Sequence, residues 1–400
     1  MQKQNDSMKY TKLLLKRVVK LKKLKVLFVN QTSRFGGAER VLFDLLQHMD
    51  REKFEPILVA PKGELLEEAE SLEINCIELE DFSQMETTRG KMKGADLFKT
   101  LSTRRKIGTI IKTVAPDVIY TNSVKAHILV NLKSQRIPTL VRLHDFPQSF
   151  NGFSKKLLTY SLQNAKHISC VSDSVNRDVS SILGKASASK SSFTYNGYNS
   201  VSPPSRHHQK RVIIAGWLLE WKGFIPFVEA MEIVAEKNAD WEFVIAGDVA
   251  RDASGSQEFA SVLKERVAQS PHRERFLFTG GYKKISEVTC CHEHCIFVHA
   301  SLKPDPLPTV ILEAASLKLP IICSKLGGGS EILEHESSGH VISPNPTDIA
   351  QSVLNLIENA DKRMHFGNKA YQKNVESFSM NHYINGMERR ILELSRSGFE

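Results

Sequence analysis

The chain has 400 residues, of which 41% are hydrophobic and 25% charged, a composition that is ordinary for a globular protein and excludes a collagen-like or disordered chain. Its length exceeds the usual size of one hydrophobic core, so two domains of roughly 150–200 residues are expected. The formal net charge is +9, but residues 1–25 hold nine Lys or Arg against the single acid Asp6, and the rest is nearly neutral. No basic folded face is indicated, so we predict no nucleic-acid partner.

Residues 1–24 form a basic leader. Within 8–25, helical spacing puts a row of apolar residues opposite several lysines, which is typical of a segment that lies on an anionic membrane surface. A solvated basic leader is the alternative, and the pattern favours neither. Lys16, Arg17 and Lys20 interrupt the apolar core that a secretory signal needs, and no run approaches the ~18 apolar residues that span a bilayer. We therefore predict a cytoplasmic protein, at most peripheral on the inner face of the membrane.

The six cysteines, at positions 76, 170, 290, 291, 295 and 323, show no disulfide framework, which suits a reducing compartment. The segment 290–295 also contains His292, Glu293 and His294. These side chains stand closer together in sequence than the usual paired cysteine and histidine spacings of zinc sites. The cluster therefore favours a turn between a helix and a strand over a metal site.

The segment after the leader alternates apolar runs with helical patterns. Lys25–Asn30 is typical of a buried strand, and a helix with one apolar face follows from Ala38. Further strands are predicted at 56–60, 118–121, 139–144 and 167–171. This alternation predicts a parallel sheet covered by helices on both faces.

Prolines and polar residues at Ser200–Lys210 interrupt the pattern and predict a linker at 201–210. Beyond it, strands are predicted at 211–216, 241–247, 275–279, 295–301 and 320–324, and helices at 224–238, 258–270 and 310–318. We therefore predict an α/β protein with two Rossmann-like, doubly wound domains, 25–200 and 211–376, that face each other across a cleft. A C-terminal helix, 377–400, is expected to return to the N-terminal domain.

Two loops between a predicted strand and its helix are candidates for ligand binding, because ligands bind at the carboxyl ends of open parallel sheets. Gly36 and Gly37 allow close approach of the backbone to an anion at a helix N-terminus. A tight turn explains both glycines equally well. Lys222, beside Gly223, can place a point charge on a diphosphate, and a surface lysine is the alternative.

The segment Lys303–Glu313 carries the strongest signal. Its three prolines fix an irregular loop and stop where a helix begins, so Leu307, Pro308 and Thr309 lead into N–H groups that point to the strand ends. Glu313 follows among apolar neighbours, and a buried carboxylate is costly without a partner. Two ribose hydroxyls would satisfy it, and a favourable interaction with the helix dipole is the alternative.

His144, followed by Asp145, ends a predicted strand at the edge of the first domain that faces the cleft. An isolated histidine is more often structural than functional. The position of His144 at this edge makes the two interpretations equally well supported.

These motifs together resemble the retaining GT-B glycosyltransferases called group 1, or family 4, from residue 25 to about 378. In the first domain the resemblance rests on Gly36–Glu39, His144-Asp145, Val171–Asp173 and Tyr195–Gly197. In the second it rests on Glu220 with Lys222-Gly223, on the acids Asp305 and Glu313 spaced eight apart, and on Gly327–Ile332. Two residues depart from the pattern. Asp305 stands where the family usually has Glu, and Trp217 stands where it commonly has Arg.

The resemblance implies transfer of a sugar from a nucleotide-diphosphate sugar, with retention of configuration, to a glycan or lipid-linked acceptor, as in cell-surface polysaccharide or glycolipid synthesis. It implies that His144 positions the sugar, Asp305 binds its hydroxyls and Glu313 binds the ribose. Gly36, Gly37, Lys222 and the 307–309 segment would complete the donor site. No Asp-x-Asp motif is present, so no metal or other cofactor is expected.

Two alternatives stay open. Trp217 and Asp305 suit a catalytically weak GT-B subunit that binds a nucleotide sugar. A sugar-nucleotide epimerase on the same fold is the other alternative, and the spacing of the two acids disfavours it.

Overall fold

The computed structural model describes residues 22–80, 94–134, 136–198, 210–250, 255–282, 284–289 and 294–397. Most of the predicted leader, nearly all of the predicted linker and residues 290–293 of the cysteine cluster lie outside these ranges. Across the part of the chain that is described, none of the helices combines the length and the apolar character that crossing a membrane would require.

The first domain is built on a seven-stranded parallel sheet in the order β3-β2-β1-β4-β5-β6-β7. Its strands are β1 (Leu24–Val29), β2 (Phe54–Ala60), β3 (Asn75–Glu78), β4 (Val118–Thr121), β5 (Thr139–Leu143), β6 (His167–Cys170) and β7 (Ser191–Phe193). Its helices are α1 (Gly37–His48), α2 (Glu64–Ser71), α3 (Gly94–Val114), α4 (Val124–Asn131), α5 (Gly152–Asn164) and α6 (Asp173–Ala188).

The second domain is built on a six-stranded parallel sheet in the order β10-β9-β8-β11-β12-β13. Its strands are β8 (Arg211–Ala215), β9 (Glu242–Ala246), β10 (Phe276–Gly280), β11 (Cys295–His299), β12 (Ile321–Ser324) and β13 (His340–Ile342). The helices that follow β8 along the chain are α7 (Phe224–Lys237), α8 (Ser256–Ala268), α9 (Thr309–Ser316), α10 (Gly329–Ile332), α11 (Pro346–Glu358), α12 (Ala360–Ser377) and α13 (Met380–Ser397). The predicted fold class, two doubly wound α/β domains, is confirmed.

The central strands are apolar on both faces because helices cover both sides of each sheet. Val26–Val29 in β1 and Cys295–Val298 in β11 are fully buried. Burial of such runs removes apolar surface from water at about 25 cal/mol per Å², the main stabilising contribution to this architecture.

Several predicted elements of the second domain extend beyond the observed ones, and two of them have a clear structural reason. The strand predicted at 295–301 ends at His299, because the chain then leaves the sheet and the Leu302 N–H donates to the Trp221 carbonyl at 2.7 Å. The helix predicted at 310–318 spans Thr309–Ser316 instead, and it cannot continue through Lys318, whose φ is +58°.

Helix α13 packs on the first sheet although it follows the second domain in sequence. Its buried residues Tyr383, Met387 and Ile391 share a hydrophobic core with Val26 and Phe28. The Asp50 N–H donates to Glu388 Oε1 at 2.7 Å. The end of the described chain is therefore part of the first domain's core.

The two domains touch through a carboxylate. Glu331, in α10, accepts the backbone N–H groups of Asp173 at 2.8 Å and Ser174 at 2.7 Å. These are the first residues of α6, where N–H groups lack partners within the helix and the dipole favours an anion. Glu331 thus caps a first-domain helix from the second domain.

Candidate functional site

Asp305 lies in the loop that leaves β11 and leads to α9. Its backbone pairs with the glycine segment before α10, where Gly328 N–H donates to Asp305 O at 2.8 Å. Gly327 has φ +78°, and a Cβ there would collide with the Asp305 backbone. Only glycine permits this approach, and the approach holds the Asp305 side chain in place.

Lys222 ends a short 3-10 turn between β8 and α7. Its Nζ lies 2.6 Å from Asp305 Oδ2 and 4.2 Å from the centre of the Trp221 ring. The exposed fractions of the two side chains are 19% for Lys222 and 9% for Asp305, so the ion pair is largely shielded from water. Gly223 (φ +80°) turns the chain against Ala300 immediately after the lysine.

His299, the last residue of β11, completes this cluster. Its Nε2 lies 3.5 Å from Asp305 Oδ2 and 3.0 Å from Ser301 Oγ. Burial lowers the pKa of His299 from its ordinary value. Burial alone would raise the pKa of Asp305, but the positive charge of Lys222 and the contact with His299 outweigh it and hold that pKa well below its usual range. Asp305 is therefore an anion.

Glu313 lies one turn into α9, and its Oε2 accepts the Ile285 N–H at 3.3 Å. Burial raises the pKa of Glu313 to about 7, although that N–H and the positive charge of Arg40 act in the opposite direction. Arg40 belongs to α1 of the first domain, so Glu313 lies within electrostatic reach of both domains. A group that gives this carboxylate further hydrogen bonds would stabilise its charged form.

The first domain contributes His144, which follows β5. Its Nε2 lies 2.9 Å from Asn122 Oδ1. Burial lowers the pKa of His144 well below its ordinary value, and the positive charge of Arg142 adds to the effect. The imidazole is therefore neutral at physiological pH. Nearby, Gly36 N–H donates to Glu39 Oε2 at 3.2 Å, and α1 begins at Gly37.

Two family models match this chain, and together they cover most of it. The model for Glycosyltransferase Family 4 matches residues 35–200, and the model for Glycosyl transferases group 1 matches residues 199–373. This chain belongs to the group 1, family 4 glycosyltransferases. The boundary between the two models falls next to the predicted linker.

Curated relatives of this glycosyltransferase are distant. It is 24% identical over 225 residues to the phosphatidylinositol N-acetylglucosaminyltransferase GPI3 subunit of Saccharomyces cerevisiae, over 54% of this chain and 48% of the relative. It is 23% identical over 232 residues to the poly(ribitol-phosphate) alpha-N-acetylglucosaminyltransferase of Staphylococcus aureus, over 57% of this chain and 45% of the relative. The chain thus matches about half the length of these two proteins.

Solved structures share the fold. Anabaena Alr3699/HepE, solved in complex with UDP, has a TM-score of 0.77 at 20% identity, covering 92% of this chain and all of that one. The lipopolysaccharide outer core galactosyltransferase WaaB, in its apo form, has a TM-score of 0.68 at 15% identity, covering 92% of this chain and 99% of that one. The glycosyltransferase therefore has the GT-B arrangement of two parallel-sheet domains.

The structure places the predicted site residues of this glycosyltransferase in two groups. The larger group is in the second domain: Lys222 and Asp305 are in contact, Leu307 and Pro308 are buried residues of the loop before α9, Thr309 begins α9, and Glu313 follows one turn later. The other group, His144 with Gly36 and Gly37, belongs to the first domain. Trp217 has an exposed fraction of 48%.

Sequence reasoning missed several polar residues at the same strand ends. His299 ends a buried apolar strand, as His144 follows one, and that shared pattern was a usable signal. Asn30 and Asn122 directly follow β1 and β4, and the structure buries both. The corresponding signal in the sequence was an asparagine at the carboxyl end of an apolar parallel strand.

Proposed function

We propose that the protein is a retaining, metal-independent glycosyltransferase that moves a sugar from a nucleotide-diphosphate donor to a glycan or lipid-linked acceptor. The observation that carries the proposal is the convergence of Lys222, His299 and Asp305 with the start of α9 at one edge of the second sheet. Glu313 extends this group by one turn of helix. Positive charge, helix N–H groups and two carboxylates are what a nucleotide sugar requires.

Each group has a role in this proposal. Lys222 and the N–H groups at the start of α9 stabilise the charge that develops on the leaving diphosphate, as preorganised donors do in other transfer reactions. Asp305 binds hydroxyls of the donor sugar, and Glu313 binds both ribose hydroxyls. His144 positions the sugar from the opposite domain. No residue of the chain is assigned as a nucleophile.

The donor and the acceptor are proposed as classes. The solved relative Alr3699/HepE also has a complex with UDP-glucose, which makes a uridine nucleotide sugar the first donor to test. The named relatives act on phosphatidylinositol and poly(ribitol-phosphate), so a lipid-linked or polymeric acceptor for cell-surface glycan synthesis is the corresponding proposal. The basic residues 8–25 would hold a cytoplasmic enzyme near such an acceptor at the inner face of the membrane.

A thermal-shift panel of UDP-, GDP- and ADP-sugars tests the donor class, because a ligand that binds only the native state raises its apparent stability. At a donor concentration 100 times Kd, the stabilisation is about 2.7 kcal/mol. The selected donor is then incubated with lipid-linked and soluble acceptors, and NMR of the product gives the anomeric configuration. No shift with any of the sugar nucleotides contradicts the proposal, and an inverted product contradicts the retaining mechanism.

A second candidate is a catalytically weak subunit that binds the nucleotide sugar. The observation that favours it is that Lys222 is paired with Asp305 at 2.6 Å, so the charge of each group is partly compensated within the protein. Donor binding without transfer to a broad acceptor panel would support this function. Turnover that disappears in Lys222→Ala would support the enzyme.

A further inference from the structure

A chain of four polar side chains crosses the carboxyl edge of the first sheet. Three of them stand directly after adjacent strands: Asn30 after β1, Asn122 after β4 and His144 after β5. The fourth is Glu39, in the first turn of α1. Asn30 and Asn122 are fully buried and Glu39 nearly so, which makes their hydrogen-bond pairing obligatory.

Glu39 sets the orientation of the first amide. Its Oε2 accepts the Gly36 N–H and its Oε1 accepts Asn30 Nδ2, both at 3.2 Å, so both oxygens act as acceptors. The other hydrogen of Asn30 Nδ2 goes to the Thr32 carbonyl at 2.7 Å. With both of its N–H groups used in this way, Asn30 turns its Oδ1 towards Asn122.

The hydrogen bonds of Asn122 determine which of its atoms faces His144. Its Nδ2 donates to Asn30 Oδ1 and to the Ala38 carbonyl, both at 3.2 Å. A flipped amide would place oxygen against two oxygens, so Asn122 Oδ1 must face His144 Nε2 at 2.9 Å. That oxygen only accepts, so His144 carries its proton on Nε2.

We propose that Glu39 is a positioning residue which, through Asn30 and Asn122, holds His144 in the tautomer that leaves Nδ1 free to accept a hydrogen bond from a hydroxyl of the bound sugar or acceptor. This role rests on the proposed glycosyl transfer. Without the hydrogen bonds that link Glu39 to His144, the neutral imidazole exchanges between two tautomers, and only one of them accepts a hydrogen bond at Nδ1. An orienting partner of this kind fixes both the ring and its proton.

The charged groups around His144 are compatible with this role. Burial lowers the pKa of His144, and Arg142 and His127 add to this effect; burial also raises the pKa of Glu39 at the other end of the hydrogen-bonded series, where Asp145 adds a smaller effect. His144 therefore stays neutral above its ordinary pKa of 6.5, where tautomer choice matters and protonation does not.

Two substitutions disrupt the hydrogen bonds between Glu39 and His144 at different points. Glu39→Gln replaces one acceptor by a donor, so either Gly36 N–H or Asn30 Nδ2 loses its partner and the amides can reorient. Asn122→Asp keeps an acceptor facing His144 but sets a carboxylate against Asn30 Oδ1 and the Ala38 carbonyl. That carboxylate raises the pKa of His144. The exposed Glu67→Gln, on α2, is the matched control.

The test combines 15N NMR of the histidine side chains with steady-state kinetics on the full chain, using His144→Ala to assign the His144 signals. Wild type and Glu67→Gln should show Nε2 protonated and Nδ1 unprotonated at pH 7.5. Glu39→Gln should show a mixed tautomer and a kcat lower by about 10-fold or more, the scale for orienting partners of histidine ligands, with KM changed less than 2-fold. Asn122→Asp should make kcat rise with pH between 6.5 and 8.5, where wild type stays flat.

The proposal is overturned if wild-type His144 carries its proton on Nδ1, or if Glu39→Gln leaves both the tautomer and kcat unchanged. A melting curve and the Asn122→Asp pH profile separate a positioning role from simple loss of fold, since misfolding lowers activity at every pH. Failure of the proposed function has a different signature: the tautomer is as described, and wild type transfers no sugar.

Discussion

Lys222 Nζ and Asp305 Oδ2 lie 2.6 Å apart although 83 residues separate them in the chain. The pair joins the turn before α7 to the loop before α9, and His299 supports it from the end of β11. Both side chains are mostly buried, so each depends on the other for its charge compensation. A donor diphosphate that binds Lys222 would share the lysine with Asp305. The proposed binding of the diphosphate by Lys222 and of the sugar hydroxyls by Asp305 would then both depend on this one ion pair.

Removing one partner of this pair should destabilise the protein more than removing both. Lys222→Met leaves a buried carboxylate uncompensated, and we expect a loss of about 2–4 kcal/mol in the free energy of unfolding. The double variant Lys222→Met/Asp305→Asn should recover at least half of that loss. The pKa of Asp305 is lowered in the fold, so the stabilisation is complete above its ordinary value of 3.8 and disappears as the pH falls below it.

Urea unfolding at pH 7 measures the first effect, and a comparison of wild type and the double variant at pH 5 and pH 2.5 measures the second. A double variant no more stable than Lys222→Met would show that the ion pair does not hold these loops.

Glu313 should make the protein less stable at high pH. Its pKa is raised to about 7, so the folded state keeps a proton that the unfolded state has already lost above the ordinary value of 4.5. Stability contributed by the protonated form is therefore lost as the pH rises from about 4.5 to about 7, by about 2 kcal/mol after allowance for partial exposure. Glu313→Gln should be free of this loss.

The measurement is the difference in unfolding free energy between wild type and Glu313→Gln at pH 5 and pH 8. We expect the variant to gain on wild type as the pH rises. A difference that stays constant with pH would mean that Glu313 is ionised at both.

Gly327→Ala should be costly for two separable reasons. A side chain at φ +78° is strained by about 1–2 kcal/mol, and its Cβ would also collide with the Asp305 backbone. Gly280→Ala, at φ +74° with open space around the position, carries the strain without the collision. Thermal unfolding should rank Gly327→Ala below Gly280→Ala by about 1–3 kcal/mol, and equal losses would remove the role given to this close approach.

Glu331→Ala should loosen the contact between the domains. The glutamate caps α6 by accepting two backbone N–H groups, and loss of such a cap costs about 1–2 kcal/mol. Glu334→Ala is the control, because its ion pair with Lys373 spans 3.4 Å at an exposed site and is worth little. Small-angle scattering should show a larger radius of gyration for Glu331→Ala alone, and two indistinguishable variants would contradict the capping role.

The central strands could be predicted from the sequence because runs such as Val26–Val29 are apolar at every position, as burial on both faces requires. The edge strands β3, β7 and β13 could not, whereas the edge strand β10 was predicted at 275–279 and spans Phe276–Gly280. Asn75–Glu78 in β3 is only partly covered, so its composition lacks that signal, and β13 is three residues long. The positions of Lys222, Asp305 and Glu313 were also predictable, because each stands at the junction between a strand and a helix or soon after it.

Which side chains meet could not be predicted, because contact depends on strand order. Lys222 and Asp305 meet because β8 and β11 are neighbours in the second sheet. Asn30, Asn122 and His144 meet because β1, β4 and β5 are neighbours in the first. Crossover connections set these orders, and the local sequence of a strand does not reveal its neighbour.

Donor affinity as a function of pH tests the account most directly. A sugar nucleotide selected by the thermal-shift panel has its diphosphate esterified at both ends, so its charge is constant between pH 5.5 and 8.5. If Glu313 accepts hydrogen bonds from the ribose, binding lowers its pKa from about 7, and affinity measured by calorimetry should rise with pH up to about 7 and then level off. Glu313→Ala should bind at least about 10-fold more weakly, with no pH dependence. Wild-type affinity that does not change with pH, together with unchanged binding by Glu313→Ala, would contradict the assignment of the donor site.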